Sequence, residues 1–201
     1  VAKYSRVNVV GVCDSPLGIA RAIAAVLGAP PAELWVGYVG MHHFGWVMEV
    51  KWEGRNVIPD VLARVEQLPG LPDEVADIVR AMGAIPSSYY KYYYHPDRML
   101  AKQKESKARA EQLLDLEAQM LAEYENESLA DLPPSLTERG AHWYEDIVVP
   151  VMLAHLNDTR EVFTLNVTNG ATLPWMPADS IVELPVVVTR PASSGVNACA
   201  R

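Results

Sequence analysis

The chain has 201 residues, enough to bury one sizeable hydrophobic core and more typical of one domain than of two. Hydrophobic residues make up 50% and charged residues 21% of the sequence, a composition that excludes an intrinsically disordered chain. The formal charge is −8, and the absence of a long basic run argues against nucleic-acid or anionic-membrane partners. A small phosphorylated ligand is still compatible, because one or two arginines can bind it.

The cysteines and the apolar runs indicate the cellular compartment. Cys13 and Cys199 stand near opposite ends of the sequence, a pattern that does not suggest a structural disulfide. No run of 18 apolar residues is present, and the N-terminus lacks the order of a signal peptide. We therefore expect a cytoplasmic protein without membrane contact. The sequence starts in a strand-like run and stops in a loop-like stretch, so we also expect a piece truncated at both ends.

Hydrophobic periodicity and helix-start signals predict an α+β fold. Asp14-Ser15-Pro16 is a favourable helix start after a β-branched run, and His42 and His43 fall between two strand-like runs. The expected elements, in chain order, are a strand at 6–12, a helix at 16–28, strands at 33–39 and 45–52, helices at about 59–67 and 73–82, a long helix at 96–125, a helix at 141–156, and strands at 162–167 and 181–189. Pro150 is expected to kink the last helix.

Cys13 and the two histidines are the first candidates for chemistry. Cys13 precedes a helix N-terminus, where backbone N–H groups and the helix dipole would lower the pKa of its thiol. The alternative interpretation is a small buried core residue. His42 and His43 are either polar residues at a strand end or ligands, and their spacing from Cys13 matches no recognised metal motif.

The segment 89–94 holds five tyrosines within six residues. Such a run is typical of a packed aromatic turn, but a tyrosine can act as a general base when a nearby cation lowers its pKa. A metal held by Cys13 and a histidine would supply that cation. By itself, Arg109 is interpreted as an exposed helix charge, and Gly11 and Gly18 form no phosphate-binding glycine motif.

Several short motifs occur in one order along nearly the whole chain. They are Gly11-Val-Cys-Asp-Ser-Pro16, Gly40-Met-His-His-Phe-Gly-Trp46, Ile85-Pro-Ser-Ser-Tyr89 with Tyr92-Tyr93 and Pro96-Asp97, Arg109-Ala-Glu111, Asn157-Asp158, Asn166-Val-Thr-Asn-Gly-Ala171, Leu173-Pro174 and Val182-Glu183-Leu-Pro185. Together they resemble glycoside hydrolase family 4, the NAD- and manganese-dependent glycosidases, and most closely its 6-phospho-β-glucosidase branch. The resemblance implies one substrate- and metal-binding domain over residues 1–201, like the C-terminal domain of lactate and malate dehydrogenases. NAD would be bound mainly by an upstream Rossmann domain, so no cofactor-binding residue is expected in this chain.

The resemblance also implies roles for single residues. The family's ligands for Mn²⁺ or another divalent metal correspond to Cys13 and His43, and His42 stands where the family usually has asparagine, so either histidine could be the ligand. The catalytic base corresponds to Tyr89, and the substrate-binding arginine to Arg109. Asp14 occupies the position of an acid proposed for α-glucoside members, whereas many β-specific members have asparagine there.

The chemistry implied by the resemblance is elimination, which needs no pair of carboxylates. NAD⁺ would take hydride from C3, Tyr89 would remove the C2 proton, the metal would stabilise the enediolate, and the aglycone would leave from C1. Arg109 would hold the 6-phosphate of a phosphorylated disaccharide or aryl glucoside. The expected protein is a 6-phospho-β-glucosidase, a homo-oligomer at full length, of which this fragment alone would be inactive.

Two alternatives stand beside this expectation. One is an α-specific member of the family, or one that acts on unphosphorylated glycosides, and Asp14 is its main support. The other is a non-catalytic binding or oligomerisation module in which the predicted helix 97–125 packs against a partner subunit. The joint presence of Cys13, His43, Tyr89 and Arg109 argues against a decayed site.

Overall fold

The structure, a computed structural model, describes residue 4 and residues 9–68, 73–140 and 144–190. Its strands are β1 (Trp35–Met41), β2 (Phe44–Trp52), β3 (Arg55–Asn56), β4 (Ile85–Pro86), β5 (Val162–Thr168) and β6 (Ile181–Val187). Its α-helices are α1 (Ser15–Leu27), α2 (Ile58–Leu62), α3 (Asp73–Met82), α4 (Tyr90–Tyr94), α5 (Pro96–Lys104), α6 (Arg109–Tyr124), α7 (Pro134–Arg139) and α8 (Val149–Asn157). The predicted α+β class is confirmed.

The strands form one sheet in the order β3-β2-β1-β6-β5, with β4 paired to β2. Every pairing among the described strands is antiparallel. The two long hairpins, β1–β2 and β5–β6, contain most of the paired residues. They are joined through β1 and β6, where Gly40 pairs with Glu183. The turn of the first hairpin therefore lies beside the middle of β6.

Two hydrophobic cores cover the sheet. The first joins α1, α2 and α3 to β1, β2 and β4, and its fully buried members include Ile23, Val47, Val50, Val61 and Val75. The second joins α8 to β5 and β6, through Ala154, Leu165, Val182, Leu184 and Val186. Successive strand side chains point to opposite faces, so Asn166 and its partner Glu183 face away from the second core. This alternation directs two polar side chains towards the first hairpin.

The start of the chain differs from the predicted strand at 6–12. Residues 5–8 lie outside the described part, and only Gly11 forms an isolated bridge, with backbone hydrogen bonds of 3.0 and 2.8 Å to Asn166 of β5. The second cysteine, Cys199, also lies outside the described residues. The bridge is short, but it fixes the chain two residues before Cys13.

The helical half of the chain contains the other corrections. The predicted helix at 96–125 is two helices, α5 and α6, because residues 105–108 between them carry no large apolar side chain to pack. The predicted helix at 59–67 ends at Leu62 and continues only as a 3₁₀ turn. Over its described residues, the predicted helix at 141–156 is a π-helical turn, Tyr144–Val148, followed by α8. Pro150, near the start of α8, has no N–H for an internal helical hydrogen bond. Among the described residues, no helix is long and apolar enough to cross a membrane.

Gly45 illustrates how closely the strands pack around the β1–β2 turn. A Cβ on Gly45 would overlap the ring of Tyr38, which is 3% exposed and belongs to the first core. Gly18, in α1, has open space around the position of a Cβ. The two glycines therefore differ in the free energy that an added methyl group would cost.

We predict opposite effects of the same substitution at these two sites. Gly45→Ala should lower the free energy of unfolding by about 1–3 kcal/mol, because the buried Tyr38 must shift. Gly18→Ala, the matched control, should raise it by about 0.5–1 kcal/mol through helix propensity. Urea unfolding of both variants measures the difference. Equal stability of the Gly45→Ala variant and the unsubstituted protein would contradict the packing described here.

Candidate metal centre and active site

His42 and His43 form the turn between β1 and β2, as the sequence predicts. Met41 pairs with Phe44 across the turn, and His43 has a positive φ of 60°. A non-glycine residue in this left-handed region costs roughly 1–2 kcal/mol. The turn conformation places the two imidazole rings on the same side, stacked with centroids 3.9 Å apart at 22°.

Cys13, two residues before the start of α1, lies beside this turn. Its side chain is buried, and its Sγ and one ring nitrogen each of His42 and His43 lie within 4.8 Å of one another. Metal bonds of about 2.0–2.3 Å to each ligand bring donor atoms to a similar separation. The structure therefore brings together the residues to which the family resemblance assigns the metal, and it adds His42 to them.

The pKa of the Cys13 thiol differs from the sequence expectation. Burial raises it, and the negative charges of Glu183 and Asp14 act in the same direction. The hydrogen bonds from Ser15 at the helix start do lower it, as expected of a helix N-terminus, but burial outweighs them. The expectation of a lowered thiol pKa is therefore wrong for these protein groups alone.

Tyr89 lies against the same turn. Its ring stacks on His43 with centroids 3.7 Å apart and planes at 6°. The backbone before it is fixed by two hydrogen bonds, from Ser87 N to Gly45 O at 2.9 Å and from Tyr89 N to Ser87 Oγ at 3.4 Å. Burial raises the pKa of Tyr89, and the charges of Asp14 and Cys13 add to the increase. Tyr89 therefore needs a positive charge nearby to become a base near neutral pH.

The rest of the tyrosine run forms the short helix α4 rather than a turn. Tyr90 is fully buried, stacked on Phe44 at 4.4 Å and edge-on to Trp46 at 4.5 Å. Tyr92, Tyr93 and Tyr94 are exposed. One tyrosine thus anchors the segment in the core, and its neighbour Tyr89 faces the cluster.

Asp14 and His43 complete the electrostatics of the cluster. Asp14 is exposed and accepts a long hydrogen bond from Cys13 Sγ at 3.8 Å. Partial burial lowers the pKa of His43, as does His42, while Asp14 opposes the change. A neutral imidazole retains the lone pair that binds a metal.

Glu183 and Asn166 are site residues to which the sequence analysis assigned no role. Glu183 is fully buried, and its Oε1 accepts a hydrogen bond from Asn166 Nδ2 at 2.8 Å and lies 3.8 Å from His42 Nδ1. Burial raises the pKa of Glu183, although Asn166, Tyr38 and His42 partly counteract it. The Tyr38 hydroxyl is close enough to influence this carboxyl, but no hydrogen bond of normal geometry joins them. The available signal was a single acidic residue inside the apolar run 181–187.

Arg109 is the one proposed site residue that the structure engages elsewhere. It begins α6, and its exposed guanidinium donates to Gln112 Oε1 at 3.3 Å and to the backbone carbonyl of Glu138 at 3.5 Å. Both partners belong to α6 and α7, not to the cluster around Cys13. The substrate-binding role of Arg109 stays a prediction.

Comparison with known proteins finds relatives among the phosphoglucosidases. The chain is similar to a probable 6-phospho-beta-glucosidase of Bacillus subtilis, with 27% identity over 202 residues that cover 94% of this chain and 46% of the relative. It is also similar to a maltose-6′-phosphate glucosidase of the same organism, with 24% identity over 90% of this chain and 44% of the relative. The chain thus spans less than half the length of these relatives.

The fold is shared with a solved structure of the 6-phospho-beta glucosidase from Thermotoga maritima with manganese, NAD⁺ and glucose-6-phosphate. The TM-score is 0.82 at 23% identity, and the match covers 96% of this chain and 45% of that chain. Residues 38–200 match the family model described as the family 4 glycosyl hydrolase C-terminal domain. The chain therefore belongs to the family 4 glycosyl hydrolases and represents their C-terminal domain.

Proposed function

We propose that this chain is the substrate- and metal-binding domain of an NAD-dependent 6-phospho-β-glucosidase. The observation that supports it is the convergence of Cys13, His42 and His43 within 4.8 Å, with Tyr89 stacked on His43. This arrangement combines metal donors with a candidate base, as an elimination mechanism requires. It also speaks against the alternative of a decayed, non-catalytic module.

The donor set at the cluster fits a divalent transition metal. A thiolate and imidazole nitrogens suit such ions, and Cys13 and His43 would hold the metal. When bound, the ion would supply Lewis-acid stabilisation of charge on a substrate oxygen, and NAD, held mainly outside this chain, would supply hydride chemistry at the sugar. The buried Cys13 thiol and Glu183 carboxyl are acidic groups whose ionised forms would favour a cation there.

Tyr89 acts as the base that removes the proton from C2 of the oxidised sugar. Its ring is held parallel to His43, so its hydroxyl is positioned relative to the metal-binding histidine by this stacking. Asp14 and Cys13 raise its pKa, whereas positive charge at the cluster acts in the opposite direction and favours the phenolate. Tyr89 therefore accepts a proton at its Oη only where the cluster carries positive charge.

Arg109 binds the 6-phosphate of the substrate. Its present contacts, at 3.3 and 3.5 Å to neutral acceptors, are long, and a phosphate offers a stronger bidentate partner. Relatives that are named as a probable 6-phospho-beta-glucosidase and as a maltose-6′-phosphate glucosidase support a phosphate ligand.

An α-specific enzyme is the second candidate, and Asp14 favours it. The carboxyl of Asp14 is exposed beside Cys13 Sγ, where it could donate a proton to a leaving group. If the enzyme is β-specific, this carboxyl instead contributes negative charge near the cluster. The two candidates therefore differ in whether Asp14 transfers a proton.

Tyr89→Phe tests the base. In the full-length protein that contains this chain, the variant should lose exchange of the substrate's C2 proton with solvent deuterium, and turnover should fall by more than about 100-fold. NMR measures the exchange, and Tyr94→Phe, an exposed tyrosine of the same segment, is the matched control. Exchange at the unsubstituted rate in Tyr89→Phe would exclude this role and direct attention to Tyr92 or Tyr93.

Arg109→Lys tests the phosphate contact. An ammonium cannot reproduce the planar fork of donors, so KM for a 6-phosphoglucoside should rise about tenfold while kcat changes little. KM for the unphosphorylated glucoside should be the same in the variant and in the unsubstituted protein. Arg139→Lys, an exposed arginine on α7, is the control. An equal loss on both substrates would argue against phosphate recognition.

Asp14→Asn tests the anomeric alternative. If Asp14 donates a proton, the variant should lose activity on alkyl 6-phosphoglucosides, whose leaving groups need protonation, and keep it on 4-nitrophenyl 6-phosphoglucosides. Steady-state assays with the α and β forms of both substrates decide the question. A uniform effect on all four substrates would exclude proton donation by Asp14.

A further inference from the structure

We propose that His42 is a third protein ligand of the metal and that the buried Glu183 positions it. This inference rests on the metal site of the proposed function. The family resemblance implies one histidine ligand beside Cys13, whereas this inference assigns both histidines to the metal and gives a role to a carboxyl that the proposed reaction does not use.

The geometry of the turn places His42 where a ligand is needed. Adjacent residues of an extended strand point to opposite faces, but the positive φ of His43 ends that alternation. Both rings consequently lie on one side, and a nitrogen of each lies within 4.8 Å of Cys13 Sγ. The strain at His43 therefore brings two imidazoles, not one, to the cluster.

Glu183 provides the independent observation. Its carboxyl is fully buried, and its Oε1 lies 3.8 Å from Nδ1 of the half-exposed His42 ring. Its other oxygen, Oε2, has no hydrogen-bond partner among the described residues. Asn166 donates to Oε1 at 2.8 Å and so holds the carboxyl in place. A buried carboxyl that is not fully hydrogen-bonded is destabilising, and a role of this carboxyl next to His42, through Oε1, would account for its presence.

A carboxylate beside one ring nitrogen is the usual partner of a metal-binding histidine. Such a histidine donates its second N–H to a carboxylate or carbonyl, which sets the tautomer and the ring orientation. With its proton on Nδ1, facing Glu183, His42 keeps the Nε2 lone pair for the metal. The series Asn166, Glu183, His42 then runs from the sheet to the cluster.

Cobalt binding to the full-length protein tests this arrangement. Co²⁺ bound to Cys13 gives a thiolate-to-cobalt charge-transfer band, whose titration measures affinity independently of turnover. His42→Ala should raise the Kd for Co²⁺ by at least about tenfold while the band persists. Glu183→Gln should raise it by about 10- to 100-fold when His42 is present, but by a clearly smaller factor in the His42→Ala background, where only the negative charge near Cys13 is lost.

Matched control variants, and thermal unfolding of each variant, separate an effect on the position of His42 from a general loss of folding. His155→Ala and Glu49→Gln change the same residue types away from the cluster and should leave the Kd unchanged. Because His42 is a half-exposed turn residue, the His42→Ala arm decides ligation even if Glu183→Gln fails to fold.

The possible results distinguish the two proposals. An unchanged Kd in His42→Ala, with the band present, would overturn the third ligand and leave the site of Cys13 and His43 standing. Equal effects of Glu183→Gln in both backgrounds would overturn the positioning role. A saturated protein without the band, or a band that survives Cys13→Ser, would overturn both this inference and the proposed metal site.

Discussion

The close approach of β1 and β6 is the constraint on which the site depends. Gly40 pairs with Glu183 at this junction, and a Cβ on Gly40 would overlap the backbone of Gly45. Only a glycine therefore allows β1 and β2 to lie so close together beside the histidine turn, at the position where β1 pairs with β6. Because the bridge from Gly11 to β5 fixes the chain next to the same junction, Cys13 reaches the turn as well. Three segments that are distant in sequence meet at one point of the sheet.

The acidic groups at this point share one electrostatic feature. Burial raises the pKa of Cys13, of Glu183 and of Tyr89, and their neighbouring negative charges add to the increase for Cys13 and Tyr89. A positive charge in their midst favours the ionised form of each of them. The site thus combines several weak acids whose ionised forms a bound cation would stabilise, which is the environment expected of a metal centre.

Aromatic packing gives the candidate base its orientation. Tyr90 is buried between Phe44 and Trp46 of β2, so the segment that carries Tyr89 is anchored to the same strand that follows the histidine turn. The stack of Tyr89 on His43 then depends on packing rather than on a hydrogen bond from its hydroxyl. A candidate base and a candidate metal ligand that are both anchored to β2 keep their relative positions, which general-base catalysis requires.

The sequence by itself determined the α+β class, α1, the main strands and the position of both histidines in a turn, because local periodicity and helix-start residues encode them. Its motifs also identified Cys13, His43 and Tyr89 as a set. Only the tertiary structure decided that Tyr89 stacks on His43 and that Glu183 is buried beside His42, because these contacts join strands far apart in the chain. The reversal of the expected pKa shift at Cys13 has the same origin, since burial is a property of the assembled sheet and not of a local pattern.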